Sequence, residues 1–180
     1  TTVLRIMAKP IQLQMPGRPA TPPPDQPPPA GLDVLFAAPH RPMFLAGAIQ
    51  TVLTFVPWVW ELLARSGALA GPAWPWPPGW VHGLWAIYGV FPFFVFGFLM
   101  TAMPRWQGMA DTPGGAARRP WLCLVAGWLL FDVGLVVALP GLLAAGLALV
   151  LAGWALAARF LFPVAFKPGK AGLHPVAAWC

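Results

Sequence analysis

Long apolar runs alternate with short polar or proline-rich breaks along this chain. The clearest run extends from Val81 to Met103 and contains no Asp, Glu, Lys, Arg, Asn or Gln, only His82, Tyr88 and Thr101 as polar side chains. At ~1.5 Å per residue it covers roughly 34 Å, against a hydrocarbon core of about 30 Å. Three further runs, over 43–63, 121–139 and 142–162, are of similar character. The pattern predicts an all-α fold, a polytopic transmembrane helical bundle with four spans visible. A proline-rich leader over 1–31 precedes a membrane domain over 32–180, and a further apolar segment opens near 174–180. The chain does not begin with Met and stops within that last segment, so both ends read as those of a fragment of a larger bundle.

The breaks refine the picture. Pro39-His40-Arg41-Pro42 predicts an extended or turned approach to the first span. Pro57 and Pro92 lie inside the first and second spans, where each removes one backbone hydrogen bond and predicts a kink. In the second span the carbonyl left over is that of Tyr88, which neighbouring helices would have to satisfy. The connection Ser66–Gly79 is rich in Gly, Pro and Trp, as suits a loop at the membrane interface. Glu61 and Arg65 read as an ordinary exposed helix pair. Ala144, Ala148 and Ala152 recur every four residues and predict the face on which the fourth span packs closely.

Composition agrees with a membrane protein. The chain is 58% hydrophobic and 9% charged, where soluble domains carry about 25% charged residues. The net charge of +6 is not a nucleic-acid footprint, because the basic residues lie at helix ends and in loops. Arg5, Lys9, Arg18 and Arg41 precede the first span. Arg105, Arg118 and Arg119 lie between the second and third, and Arg159, Lys167 and Lys170 close the fourth. Arg65 alone falls on the other side, so the positive-inside rule puts the N-terminus in the cytoplasm. Cys123 and Cys180 offer neither a disulfide framework nor a covalent haem motif.

Three histidines carry the metal-binding potential. His40 lies at the inner mouth of the first span, His82 at the outer mouth of the second, and His174 inside, past the fourth. His40 and His82 are separated by about a membrane thickness and cannot share a metal, whereas His40 and His174 could. Each also suits a plain interfacial position. Trp85, Ala86, Gly89, Phe93, Gly97 and Met100 share a helix face below His82, and its small residues leave room either for a flat ligand or for close helix packing. Met43, Met100 and Met103 are soft copper ligands or core packing. Asp132 lies within the third span, where carboxylates are rare and face the bundle interior. Its depth matches that of Tyr88, so the two could pair.

Two stretches resemble the NnrS family, bacterial inner-membrane proteins that contain haem and copper and are associated with nitric oxide and denitrification. Pro39-His40-Arg41-Pro42-Met43-Phe44-Leu45 resembles its Phe-Arg-Pro-Phe-Phe motif. Phe96–Gly108, FGFLMTAMPRWQG, resembles its Gly-Phe-Leu-Leu-Thr-Ala-Val-Pro-Asn-Trp-Thr-Gly stretch, and Tyr88-Gly89 stands where the family has Phe-Gly. The resemblance implies non-covalent b-type haem, with copper as a second metal and nitric oxide as the small ligand. It makes His82, His40 and His174 the candidate cofactor and metal ligands, with Met100 as a further metal ligand. Asp132, Tyr88 and Arg41 are the other candidate functional residues. It also implies about twice this length and roughly a dozen spans. Many members carry Trp-His-x-His-Glu at the second span. Here His82 takes the place of the first His, but Leu84 and Trp85 replace the second His and the Glu. The expected role is the response to nitrosative stress and denitrification, in a multi-pass protein of the bacterial inner membrane. The alternative is half of a small-solute or ion transporter that uses Asp132 and the kinked second span.

Overall fold

The computed structural model of the protein describes residues 31–166. The leader, His174 and the apolar segment near 174–180 lie outside the described residues. A short helix α1 (Leu32–Leu35) leads into α2 (His40–Arg65). Helix α3 (Pro78–Leu84) passes through a π-helical turn (Trp85–Val90) into α4 (Phe91–Trp106). A 3-10 turn (Gly114–Ala117) then opens α5 (Arg118–Val136), and α6 (Pro140–Ala165) completes the bundle. No strand occurs among the described residues, and four helical segments are long and apolar enough to cross a membrane.

The boundaries correct the reading from sequence at two places. Helix α2 begins at His40 rather than after a turned Pro39–Pro42 segment. Pro42 falls in its first turn, where no backbone N–H has an intrahelical partner to lose. Helix α5 ends at Val136, before Leu139. There Leu139 N–H reaches back to Gly134 O at 2.9 Å, with Ala138 in the left-handed region at φ 52°. This is the wrapped chain end that satisfies terminal carbonyls. Pro57 lies inside α2, and the helix continues through it to Arg65.

Pro92 has a different solution. The turn before it widens, and Phe91 N–H bonds to Ala86 O, five residues back. An ordinary turn would direct the proline ring against the carbonyl of Tyr88. Widening the helix by one residue relieves that contact within the chain itself.

Packing runs in a chain of pairs, α2 on α4, α4 on α6 and α6 on α5. Gly47 faces the Phe93 and Phe94 side chains, and Gly97 faces Met43 and Phe44. The tightest approach joins α5 to α6. A Cβ on Gly127 would lie 2.8 Å from Gly146 O, and one on Gly146 would lie 2.6 Å from Gly127 O. Ala144, Ala148 and Ala152 do not form this face, since all three are exposed. The contact surface is instead Leu143, Gly146, Val150, Gly153 and Ala157. Around the outside, Leu45, Ile49, Val52 and Val56 of α2 and Leu151 of α6 are exposed, as befits residues that meet lipid tails.

The two ends of the bundle differ in charge. At one end lie Arg41, Arg105, Arg118, Arg119 and Arg159, and at the other Arg65 is the single arginine or lysine among the described residues.

The α5–α6 hairpin yields a stability prediction. Gly127→Val should destabilise the protein by about 1–3 kcal/mol through overpacking. Gly141→Ala, with nothing within 4 Å of the added methyl, should be close to neutral. Thermal unfolding in detergent distinguishes the two.

Candidate functional site

At the basic end, the first turn of α2 presents His40 to the last turns of α4. His40 Nδ1 lies 3.3 Å from Thr101 Oγ1. The Thr101 hydroxyl donates its one proton to Gly97 O at 2.9 Å, so toward the imidazole its oxygen can only accept. A proton on His40 Nδ1 would complete this bond and leave the Nε2 lone pair for a ligand. This is the arrangement that orients metal-bound imidazoles, with the remote nitrogen held by a neighbour. The ring edge also meets Phe44, at 5.8 Å between centroids.

His40, Thr101 and Arg105 line an open cavity of about 370 Å³ together with Phe44, Phe98 and Trp106. Arg105 is anchored by two bonds to Asp111, Nε to Oδ1 at 2.7 Å and Nη2 to Oδ2 at 3.0 Å. The guanidinium holds the Asp111 carboxyl below the usual carboxylate range. Arg41 has a structural role, donating to Val34 O at 2.8 Å and tying α1 to the start of α2. Trp121 Nε1 donates to Pro42 O at 2.9 Å, which fixes the same turn from α5.

The opposite end holds His82. Its ring stacks on Trp58 at 4.4 Å and 12°, and Phe55 meets it edge-on at 5.7 Å. Arg65 lies over the same Trp58 indole, 5.6 Å from its centroid. His82 Nδ1 is enclosed without a hydrogen-bond partner. At Gly89 and Gly97 the face below His82 is filled by neighbouring side chains. Trp85, Gly89, Phe93, Gly97 and Met100 are buried against α2 and α5, so the small residues serve helix packing.

Asp132 is not paired with Tyr88. Trp85 Nε1 donates to Asp132 Oδ1 at 2.7 Å. Tyr88 is half exposed, with its ring 6.2 Å from Trp154 of α6. The π-helical turn separates the two residues onto different faces, a rotation that the regular-helix depth argument did not include. Gln50 of α2 lies beside the same carboxyl without closing a bond of ordinary length. Gly89 packs between Gln50 and Trp128. Gln50 and Trp128 were missed in the sequence, although Gln50 is an isolated amide within an apolar span, and Trp85 was placed on the face below His82 without its bond to Asp132.

Glu61 also departs from expectation. It is buried rather than exposed, and it accepts from Arg65 Nε and from Trp74 Nε1, both at 2.8 Å. Trp60 Nε1 donates to Ala70 O at 2.9 Å. These bonds fasten the tryptophan-rich loop over the end of the bundle.

The structure thus keeps His40 and His82 at opposite ends. Met100 is fully buried, as are Met43 and Met103. No group of three or more His, Cys, Asp or Glu side chains stands together among the described residues. The revised pairing is testable. Trp85→Phe should cost about 1–3 kcal/mol by leaving a buried carboxyl oxygen without its donor, while Tyr88→Phe should leave thermal stability unchanged. Equal losses would contradict the Trp85–Asp132 bond.

Neither the comparison with curated proteins nor that with solved structures gives a match. The family model described as NnrS protein matches residues 34–176. That stretch takes in all four spans, the His40 turn and the tryptophan-rich loop. The chain belongs to the NnrS family.

Proposed function

We propose that this chain is part of a haem-binding protein of the bacterial inner membrane that acts in the response to nitric oxide and in denitrification. The observation that carries the reading is the bond of His40 Nδ1 to Thr101 at the wall of a cavity that Arg105 also lines. His40 would hold the iron of a non-covalent b-type haem through its imidazole, and Arg105, paired with Asp111, would stand beside the group. Bound haem would supply an iron centre able to take nitric oxide. Phe44, Phe98 and Trp106 would flank the macrocycle and keep water from it. Turnover is not required for this role, since reversible capture of nitric oxide would protect other iron centres.

His82 is the less complete candidate. Its Nδ1 has no acceptor to set the tautomer, and neighbouring side chains fill the face beneath it at Gly89 and Gly97. Copper, the second metal that the resemblance implies, is not matched by the described side chains. The three methionines of α2 and α4 are enclosed in the core, and no cluster of harder ligands accompanies them.

The charge distribution supports an orientation with the His40 end in the cytoplasm. Reporter fusions at Gly115 should then read cytoplasmic and fusions within 71–78 periplasmic. The reverse pattern would overturn the orientation.

The cofactor is tested by the optical spectrum of the full protein purified from haem-supplied cells. A Soret band is expected, at least halved in His40→Ala and retained in His82→Ala. Thr101→Val should keep the haem but shift its spectrum, because the imidazole loses its anchor. A colourless wild-type protein would sink the proposal.

A further inference from the structure

A second cavity, of about 540 Å³, lies at the His82 end beneath the tryptophan-rich loop. Trp60, Trp74 and Trp85 line it, with Pro57 and Pro75, and Asp132 is the one ionisable residue in its wall. It shares no residue with the His40 cavity.

The polar atoms of this wall are already committed, with one exception. Trp60 Nε1 is bonded to Ala70 O, Trp74 Nε1 to Glu61, and Trp85 Nε1 to Asp132 Oδ1. The three indoles therefore have only their π surfaces left to offer a ligand. Asp132 Oδ2 is shielded from solvent and has no hydrogen bond of ordinary length, with the neutral amide of Gln50 beside the carboxyl. No described base neutralises this carboxyl. Arg65 is the one cation at this end, and it is bound to Glu61 at 2.8 Å. The chain thus places a carboxyl at membrane depth among aromatic rings, without a counter-charge.

A water molecule occupies about 30 Å³, so hydration of Asp132 alone does not account for a space of this size. Indole surfaces and a carboxylate together recognise one chemical class well. Aromatic faces attract cations through their quadrupole, most strongly where water is excluded, and the carboxylate adds a Coulomb attraction. A neutral apolar molecule would fit the walls but leave Asp132 unanswered.

We propose that this cavity is a binding site for a small hydrophobic organic cation, whose ammonium group pairs with Asp132 and whose carbon frame lies among Trp60, Trp74 and Trp85. The site is independent of haem and of the role proposed at His40. Its position under the loop gives access from the outer face.

Benzyltrimethylammonium is a suitable probe, and neopentylbenzene is its neutral counterpart of the same shape. Equilibrium dialysis of the radiolabelled cation against the full chain in nanodiscs of zwitterionic lipid should show saturable binding of one equivalent. Asp132→Asn should weaken it by about tenfold or more. Ala73→Phe, which adds a ring at the cavity wall and leaves Asp132 in place, should abolish it and guards against misfolding of the Asp132 variant. Helical content and elution volume establish that each variant is folded. Neopentylbenzene at equal concentration should not displace the cation. Absence of saturable binding, full displacement by the neutral molecule, or unchanged affinity in folded Asp132→Asn or Ala73→Phe would each overturn the proposal.

Discussion

Pro92 removes a backbone donor in the middle of a helix that has no water to replace it. In hydrocarbon an unsatisfied peptide group costs several kcal/mol, so the chain must resolve the defect internally. The π-helical turn Trp85–Val90 meets the steric side of the problem: Phe91 N–H reaches Ala86 O, and the widened turn spares the proline ring its contact with Tyr88 O. The turn has consequences beyond its own hydrogen bonds. It directs Trp85 inward to Asp132 and leaves Tyr88 half exposed near Trp154. It also places Gly89 between Gln50 and Trp128. Trp85, Asp132, Gln50 and Trp128 thus meet beside this turn.

The two ends of the bundle then take on different chemistry. The basic end is held by short, specific bonds, from Trp121 to Pro42 O and from Arg41 to Val34 O. These bonds fix the first turn of α2, and with it His40. The other end is held by indole N–H groups that reach Glu61, Asp132 and a loop carbonyl. Tryptophan suits both the interface and this task, since its ring is apolar and its single donor is readily satisfied.

The spans, their order and the distribution of bases were legible because length, hydropathy and charge act over many residues at once. Failures came where one residue decides. Ala144, Ala148 and Ala152 satisfied the rule for close helix packing, yet Gly127 and Gly146 let the backbones meet, because only glycine permits an approach to a neighbouring carbonyl. Glu61 was paired correctly with Arg65, but its burial depends on Trp74, thirteen positions away across a proline-rich loop. The Tyr88–Asp132 pairing assumed a regular helical rotation that Pro92 disallows. His40 was visible as a candidate, whereas its bond to Thr101 required knowledge of which turn of α4 stands opposite.

The central claim is that metal chemistry belongs to the His40 end of the bundle. Helices of this length separate the two ends by about 39 Å, far enough for a paramagnetic iron to distinguish them. Gly115 at the His40 end and Gly141 at the other have open space around them, and each can carry a nitroxide label on an introduced cysteine once Cys123 and Cys180 are replaced by serine. In the ferric haem-loaded protein, the label at Gly115 should relax markedly faster than in the haem-free protein, and the label at Gly141 should be almost unaffected. Enhancement confined to Gly141 would put the iron at the opposite end and contradict the account.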